Sequence, residues 1–130
     1  MNDYQLEYYV QYRLNKAKET IGEIEILIKN EYWNTAVNRM YFACYYAVSA
    51  LLVKNGINTS SHSGVRLKFG QHFVKSGLFN KELAKYYTEL FEKRQKADYD
   101  DFFDFDQETV LRLYESSKLF IDKIEEIINT

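Results

Sequence analysis

Asn34-Thr35-Ala36-Val37-Asn38-Arg39-Met40-Tyr41-Phe42-Ala43-Cys44-Tyr45-Tyr46-Ala47-Val48-Ser49-Ala50-Leu51-Leu52-Val53-Lys54-Asn55-Gly56 is the stretch that decides the fold. Val37, Met40, Tyr41, Cys44, Val48, Leu51 and Leu52 fall at three- and four-residue steps, which stacks them on one face of a helix. A second row, Arg39, Ala43, Tyr46 and Ala50, runs along the opposite side, and its small members let another helix come close. Asn34 is the candidate cap, and Gly56 stands where a C′ glycine ends a helix. The uncharged run from Met40 to Val53 is fourteen residues long, short for a bilayer span. A helix apolar most of the way round belongs at the centre of a bundle.

On the N-terminal side, Tyr4 to Lys29 carries Leu6, Val10, Leu14, Ala17, Ile21, Ile24 and Ile28 on one helical face, with Asp3 as candidate cap. On the other side, a polar stretch from Ile57 to Ser63 leads into a short helix over Gly64 to Ser76, closed by Gly77. The next helix starts near Asn80 and sets Leu83, Tyr87, Leu90, Arg94 and Ala97 in one row. An acidic, aromatic connector from Tyr99 to Asp106 precedes a last helix over Gln107 to Ile128. With 130 residues, no proline and five glycines, the chain is one domain with little to interrupt its helices. The pattern predicts an all-α fold: an antiparallel up-and-down bundle of four long helices plus one short helix.

The formal net charge of −2 gives no basic signature of a nucleic-acid-binding domain, though it leaves room for a local basic patch. The lone cysteine, Cys44, has no internal disulfide partner and lies on the apolar stripe, which reads as a core thiol in a reducing compartment. Met1-Asn2-Asp3-Tyr4 lacks the basic and apolar start of a signal peptide, so a cytoplasmic protein with no membrane segment is expected. Two histidines ten residues apart and one cysteine make no metal-ligand spacing, and no cofactor is implied.

Arg94 stands in an apolar row, and a buried guanidinium needs partners. Asp98, four residues on, supplies one as a structural ion pair. The sharper reading is a cation held at a cleft to meet phosphate, a task that suits the arginine fork. Arg39 either adds a second cation there or marks the solvated start of its helix. Between Ser60 and Lys75 the chain is locally basic: Arg66, Lys68 and Lys75 have no acid among them, and His62 and His72 add charge when protonated. Ser60, Ser61 and Ser63 precede a helix start, where free N–H groups attract anions. Phe69 and Phe73 read as core plugs rather than base-stacking platforms. The acids from Asp98 to Glu108 read as a solvated rim whose carboxylates favour a helix N-terminus.

Several pieces taken in order resemble a known family. They are Asn38-Arg39-Met40-Tyr41-Phe42-Ala43-Cys44-Tyr45-Tyr46-Ala47, His62-Ser63-Gly64-Val65, Phe69, Phe73-Val74-Lys75-Ser76-Gly77, and Arg94-Gln95-Lys96-Ala97-Asp98-Tyr99. Over about Asn34 to Ile128 the chain is similar to the small prokaryotic HEPN-domain family (higher eukaryotes and prokaryotes nucleotide-binding). The resemblance implies a helical bundle, often dimeric, and in many members a metal-independent endoribonuclease, frequently a toxin paired with a minimal nucleotidyltransferase. The family motif is Arg-x4-6-His. Arg94 matches its arginine, but Tyr99, Asp100 and Asp101 occupy the histidine places, and no histidine follows Arg94.

The difference bears on chemistry. Attack of an RNA 2′-hydroxyl on phosphorus needs a base and an acid, and histidine serves as either near neutral pH. Tyrosine, with a pKa near 10, donates readily but is a poor base. The sequence therefore gives Arg94, Tyr99 and Asp98 as candidate catalytic residues, and Arg39, His62, Ser63, Arg66 and Lys68 as candidate RNA- or nucleotide-binding residues. Two functions stay open. One is an RNA- or nucleotide-binding protein of a toxin–antitoxin-like pair, with altered or weak ribonuclease activity. The other is a non-catalytic module that docks a nucleotidyltransferase-like partner. A homodimer is expected in either case.

Overall fold

The computed structural model describes residues 2–130. Five α-helices follow one another: α1 Asp3–Lys29, α2 Trp33–Lys54, α3 His62–Phe69, α4 Lys81–Tyr99 and α5 Gln107–Ile128. A π-helical turn, Gly70–Val74, continues α3. The expected all-α bundle of four long helices and one short one is the observed fold, and α5 has the predicted limits.

Local chemistry sets the helix ends. Asn2, not Asp3, caps α1, in a reciprocal box with Gln5 whose two hydrogen bonds measure 2.8 and 3.0 Å. Ser61, Asn80 and Asp106 cap α3, α4 and α5 through their side chains. Gly56 takes φ +71° just past α2, as a C′ glycine does. Asn34 lies inside α2 and does not cap it. Its amide instead holds the connector before α5, donating to the Phe103 carbonyl at 2.9 Å and accepting from the Phe105 N–H at 3.0 Å.

These contacts orient the bundle. The start of α2 lies beside the connector that feeds α5, and Lys54 at its end donates to the Ile128 carbonyl at the end of α5. So α2 and α5 run parallel. α1 runs against both, as the Lys18–Glu125 and Glu25–Tyr114 contacts require. α2 packs on each of the other four helices, and its Ala36, Ala43, Ala47 and Ala50 are fully buried. It is long and apolar enough to cross a membrane, and two-thirds of that stretch is buried in the bundle. Cys44 sits in this core, and burial pushes its thiol pKa upward.

Candidate functional site

Arg94 faces the seam where α4 crosses the first half of α2. Its guanidinium lies 4.6 Å from the Tyr41 ring centroid and 5.5 Å from that of Phe42. The Asp98 pair forms, but at 3.8 Å it is longer than a hydrogen bond, and Arg94 Nε is buried without a partner. The Arg94 side chain keeps 18% exposure, so it is reachable from solvent.

His62, the first residue of α3, comes to the same two rings. Its Nδ1 is 2.7 Å from the Tyr41 hydroxyl. The imidazole stacks on Tyr45 with centroids 4.2 Å apart and meets Phe42 edge-on at 5.7 Å. Burial, then the nearby Arg94 charge, lowers the His62 pKa, so the ring is neutral at physiological pH. Tyr41 is held in its protonated form, chiefly by burial, with its pKa pushed up to about 12. When Tyr41 donates, Nδ1 accepts and Nε2 carries the hydrogen. In the other tautomer Nδ1–H donates to Tyr41, and Nε2 is left as a base.

Three buried side-chain atoms lack a hydrogen-bond partner among the described residues: Arg66 Nε, Tyr87 Oη and Arg94 Nε. All three lie around Tyr41 and Phe91. Tyr87 stacks on Tyr41 at 6.1 Å, Phe91 meets Tyr41 at 5.8 Å, and Arg66 rests on Phe91 at 4.4 Å. Unsatisfied buried donors are rare in folded proteins, and each calls for an explanation, such as an ordered water, an ion or a functional role.

The structure sorts the other sequence candidates by position. Arg39 reaches the edge of the site, 5.8 Å from the Phe42 centroid, and pairs with Glu23 at 3.7 Å. Tyr99 is not brought to Arg94. Five residues on, it is turned about 140° around the helix, is 86% exposed, and makes no hydrogen bond or ring contact with Arg94. Ser63 is exposed, with no hydrogen bond from its side chain among the described residues. Lys68 lies about 200° around α3 from Arg66, away from the seam. Phe69 and Phe73 are core residues, 2% and 5% exposed. Among the described residues no cluster of three or more His, Cys, Asp or Glu is arranged to hold a metal ion.

The sequence reading missed the pairing of His62 with Arg94. The residues are far apart in the chain, and only the path of α3 over α2 and α4 joins them. The usable signal was Tyr41, whose hydroxyl needs a partner once its ring is buried.

Residues 10–127 match the HEPN domain. A UPF0332 protein of Thermotoga maritima is 41% identical over 122 residues, covering 94% of this chain and 92% of that protein. A protein of Methanocaldococcus jannaschii named "Putative toxin MJ0142" is 32% identical over 115 residues, covering 88% of this chain and 78% of that protein. A UPF0332 protein of Archaeoglobus fulgidus is 18% identical over 120 residues, covering 92% and 95%.

Proposed function

The chain belongs to the HEPN-domain family and is related to UPF0332 and toxin-named proteins, and on that premise we propose that it acts on RNA as a toxin-like, metal-independent phosphodiester-cleaving protein, with His62 in place of the family's motif histidine. The observation that carries this is the convergence of His62 and Arg94 on the Tyr41 and Phe42 rings. Arg94 binds the non-bridging oxygens of a phosphodiester and meets the charge that grows on them. With Nδ1–H donated to Tyr41, His62 Nε2 takes the proton of the 2′-hydroxyl as its oxygen bonds to phosphorus. The bond to the 5′ oxygen breaks, that oxygen keeps the electron pair and takes a proton from solvent, and a 2′,3′-cyclic phosphate remains. Tyr41 positions the imidazole. Asp98 holds the Arg94 stem, and Tyr99 has no part in the step.

The test is cleavage of a mixed RNA pool in EDTA, with mass spectrometry of the new ends. Wild type and Tyr99→Phe are expected to yield cyclic phosphate ends. Arg94→Ala and His62→Gln are each expected to lose rate by about 100-fold or more, the scale of a removed acid–base or oxyanion group. Intact RNA with folded wild type at high concentration sinks the reading. Cleavage that survives His62→Gln removes His62 from it.

A second reading has its own observation. Tyr4, Tyr8 and Tyr12, spaced four apart on α1, are 82%, 68% and 55% exposed. Such a row favours docking of a protein, either a second copy of the chain or a nucleotidyltransferase-like antitoxin. In an RNA-inert protein, loss of a co-expressed partner on Tyr8→Ala would make the module reading the better one.

A further inference from the structure

We propose, resting on the RNA reading above, that the groove between the α3–π segment and α4 is a second phosphate subsite centred on Arg66, so that the ligand is a polyribonucleotide chain rather than a mononucleotide. Arg66 is the other cation of the seam. It lies on Phe91 at 4.4 Å, its Nε is buried without a hydrogen bond, and no carboxylate among the described residues pairs with it. A surface arginine with acids to choose from normally takes one. An arginine fixed on a ring with donors unspent is arranged for an anion that arrives later.

The surroundings fit that anion. A cavity of about 310 Å³ opens beside Arg66, lined also by Gly70, Gln71, Lys75 and Thr88. A second, of about 200 Å³, adjoins it through Arg66, Gly70 and Thr88 and extends to Lys81. Neither lining contains a carboxylate. Lys85 also borders the second cavity but pairs with Glu82 at 3.3 Å, so among the described residues Arg66 and Lys81 are its unpaired cations, with Lys75 unpaired in the first cavity. Gln71 and Thr88 add neutral hydrogen-bonding groups. The π turn in this wall, Gly70–Val74, is a rare geometry that is frequent at functional sites.

Aromatic rings link this groove to the first site. Arg94 lies on the Tyr41 ring at 4.6 Å, Tyr41 meets Phe91 at 5.8 Å, and Arg66 lies on Phe91 at 4.4 Å. At about 1.5 Å per residue, His62 to Arg66 advances roughly 6 Å along α3, and Lys75 lies further on, past the π turn. One nucleotide at Arg94 does not extend to Lys75, whereas a chain of phosphates does. The path leads away from the acidic connector, which lies past the other end of α4. Beyond Arg94 and its Asp98 partner, a strand laid this way avoids the connector carboxylates at positions 100–106.

The test is fluorescence anisotropy with 2′-O-methyl RNA, which binds but lacks the attacking hydroxyl. A labelled twelve-nucleotide strand and a labelled dinucleotide are titrated into wild type, Arg66→Ala/Lys75→Ala and Arg94→Ala over a range of salt. The wild type is expected to prefer the longer strand. In the double variant that preference falls by about tenfold, and the salt slope drops by about 1.4, as for two lost contacts to a single strand. Arg66→Lys/Lys75→Arg, which keeps both charges, is expected to restore most of the slope and shows that the loss is not misfolding. Unchanged length preference and slope in the double variant overturn the subsite, while loss of both ligands with Arg94→Ala leaves the first site standing. No binding of either RNA to wild type overturns both.

Discussion

Tyr41 has no exposed surface, yet its hydroxyl reaches His62 and its ring carries Arg94. Removing that oxygen alone therefore separates positioning from binding. Tyr41→Phe keeps the ring under Arg94, so KM is expected to hold while kcat falls by about tenfold or more, a split readable in steady-state cleavage. His62 gives a pH signature. Its folded pKa lies below the ordinary histidine value of about 6.5, because burial and Arg94 oppose its charge. The unfolded chain therefore takes up the proton first as pH falls, and stability drops below about pH 6.5 until the folded pKa is passed. Urea melts from pH 7.5 to 5 are expected to show this slope in wild type and a shallower one in His62→Gln. Cleavage should lose its base over the lower part of the same window.

At the scale of elements, the connector between α4 and α5 is fixed from outside by Asn34. Asn34→Ala removes both hydrogen bonds to the Phe103–Phe105 backbone. It is expected to cost about 1–3 kcal/mol by denaturant titration, with faster hydrogen exchange confined to the connector. The turn between α1 and α2 offers the opposite change. Glu31 holds φ +60°, a conformation that costs an L-residue about 1–2 kcal/mol. Glu31→Gly is expected to raise stability by up to about 1 kcal/mol in the same titration. These two residues show where the sequence ceased to be legible. Helical periodicity is local, so α1, α2, α4 and α5 could be read from the spacing of apolar residues. Asn34 looked like a cap because caps are local too, and its true partners lie about seventy residues away. The π turn was hidden for a similar reason: α and π turns share composition, and packing chooses between them.

The whole bundle is held by an aromatic centre. Phe120 has no exposed surface and meets Phe69, Phe79, Tyr86 and Tyr87 at 5.3 to 6.0 Å, joining α3, α4 and α5. Phe120→Ala is expected to cost about 3–5 kcal/mol in urea unfolding, the range for emptying a large core position. Phe120 shares the three- and four-residue spacing of Leu113, Ser117, Ile121 and Ile124 on α5, all of them buried. The candidate site was only half legible, because its cation lay in a readable row while its histidine depended on tertiary folding.

The three unsatisfied atoms along the seam have a thermodynamic corollary. A ligand that meets Arg66 and Arg94 binds the folded chain and has no equivalent site on the unfolded one. Occupancy and melting temperature are then two readings of a single equilibrium. A ligand at about a hundred times its dissociation constant adds roughly 2.7 kcal/mol to the folded state. Free chain and ligand-loaded chain should therefore differ in their lifetimes against proteolysis. In a cell, the supply of ligand would set how much of this protein survives.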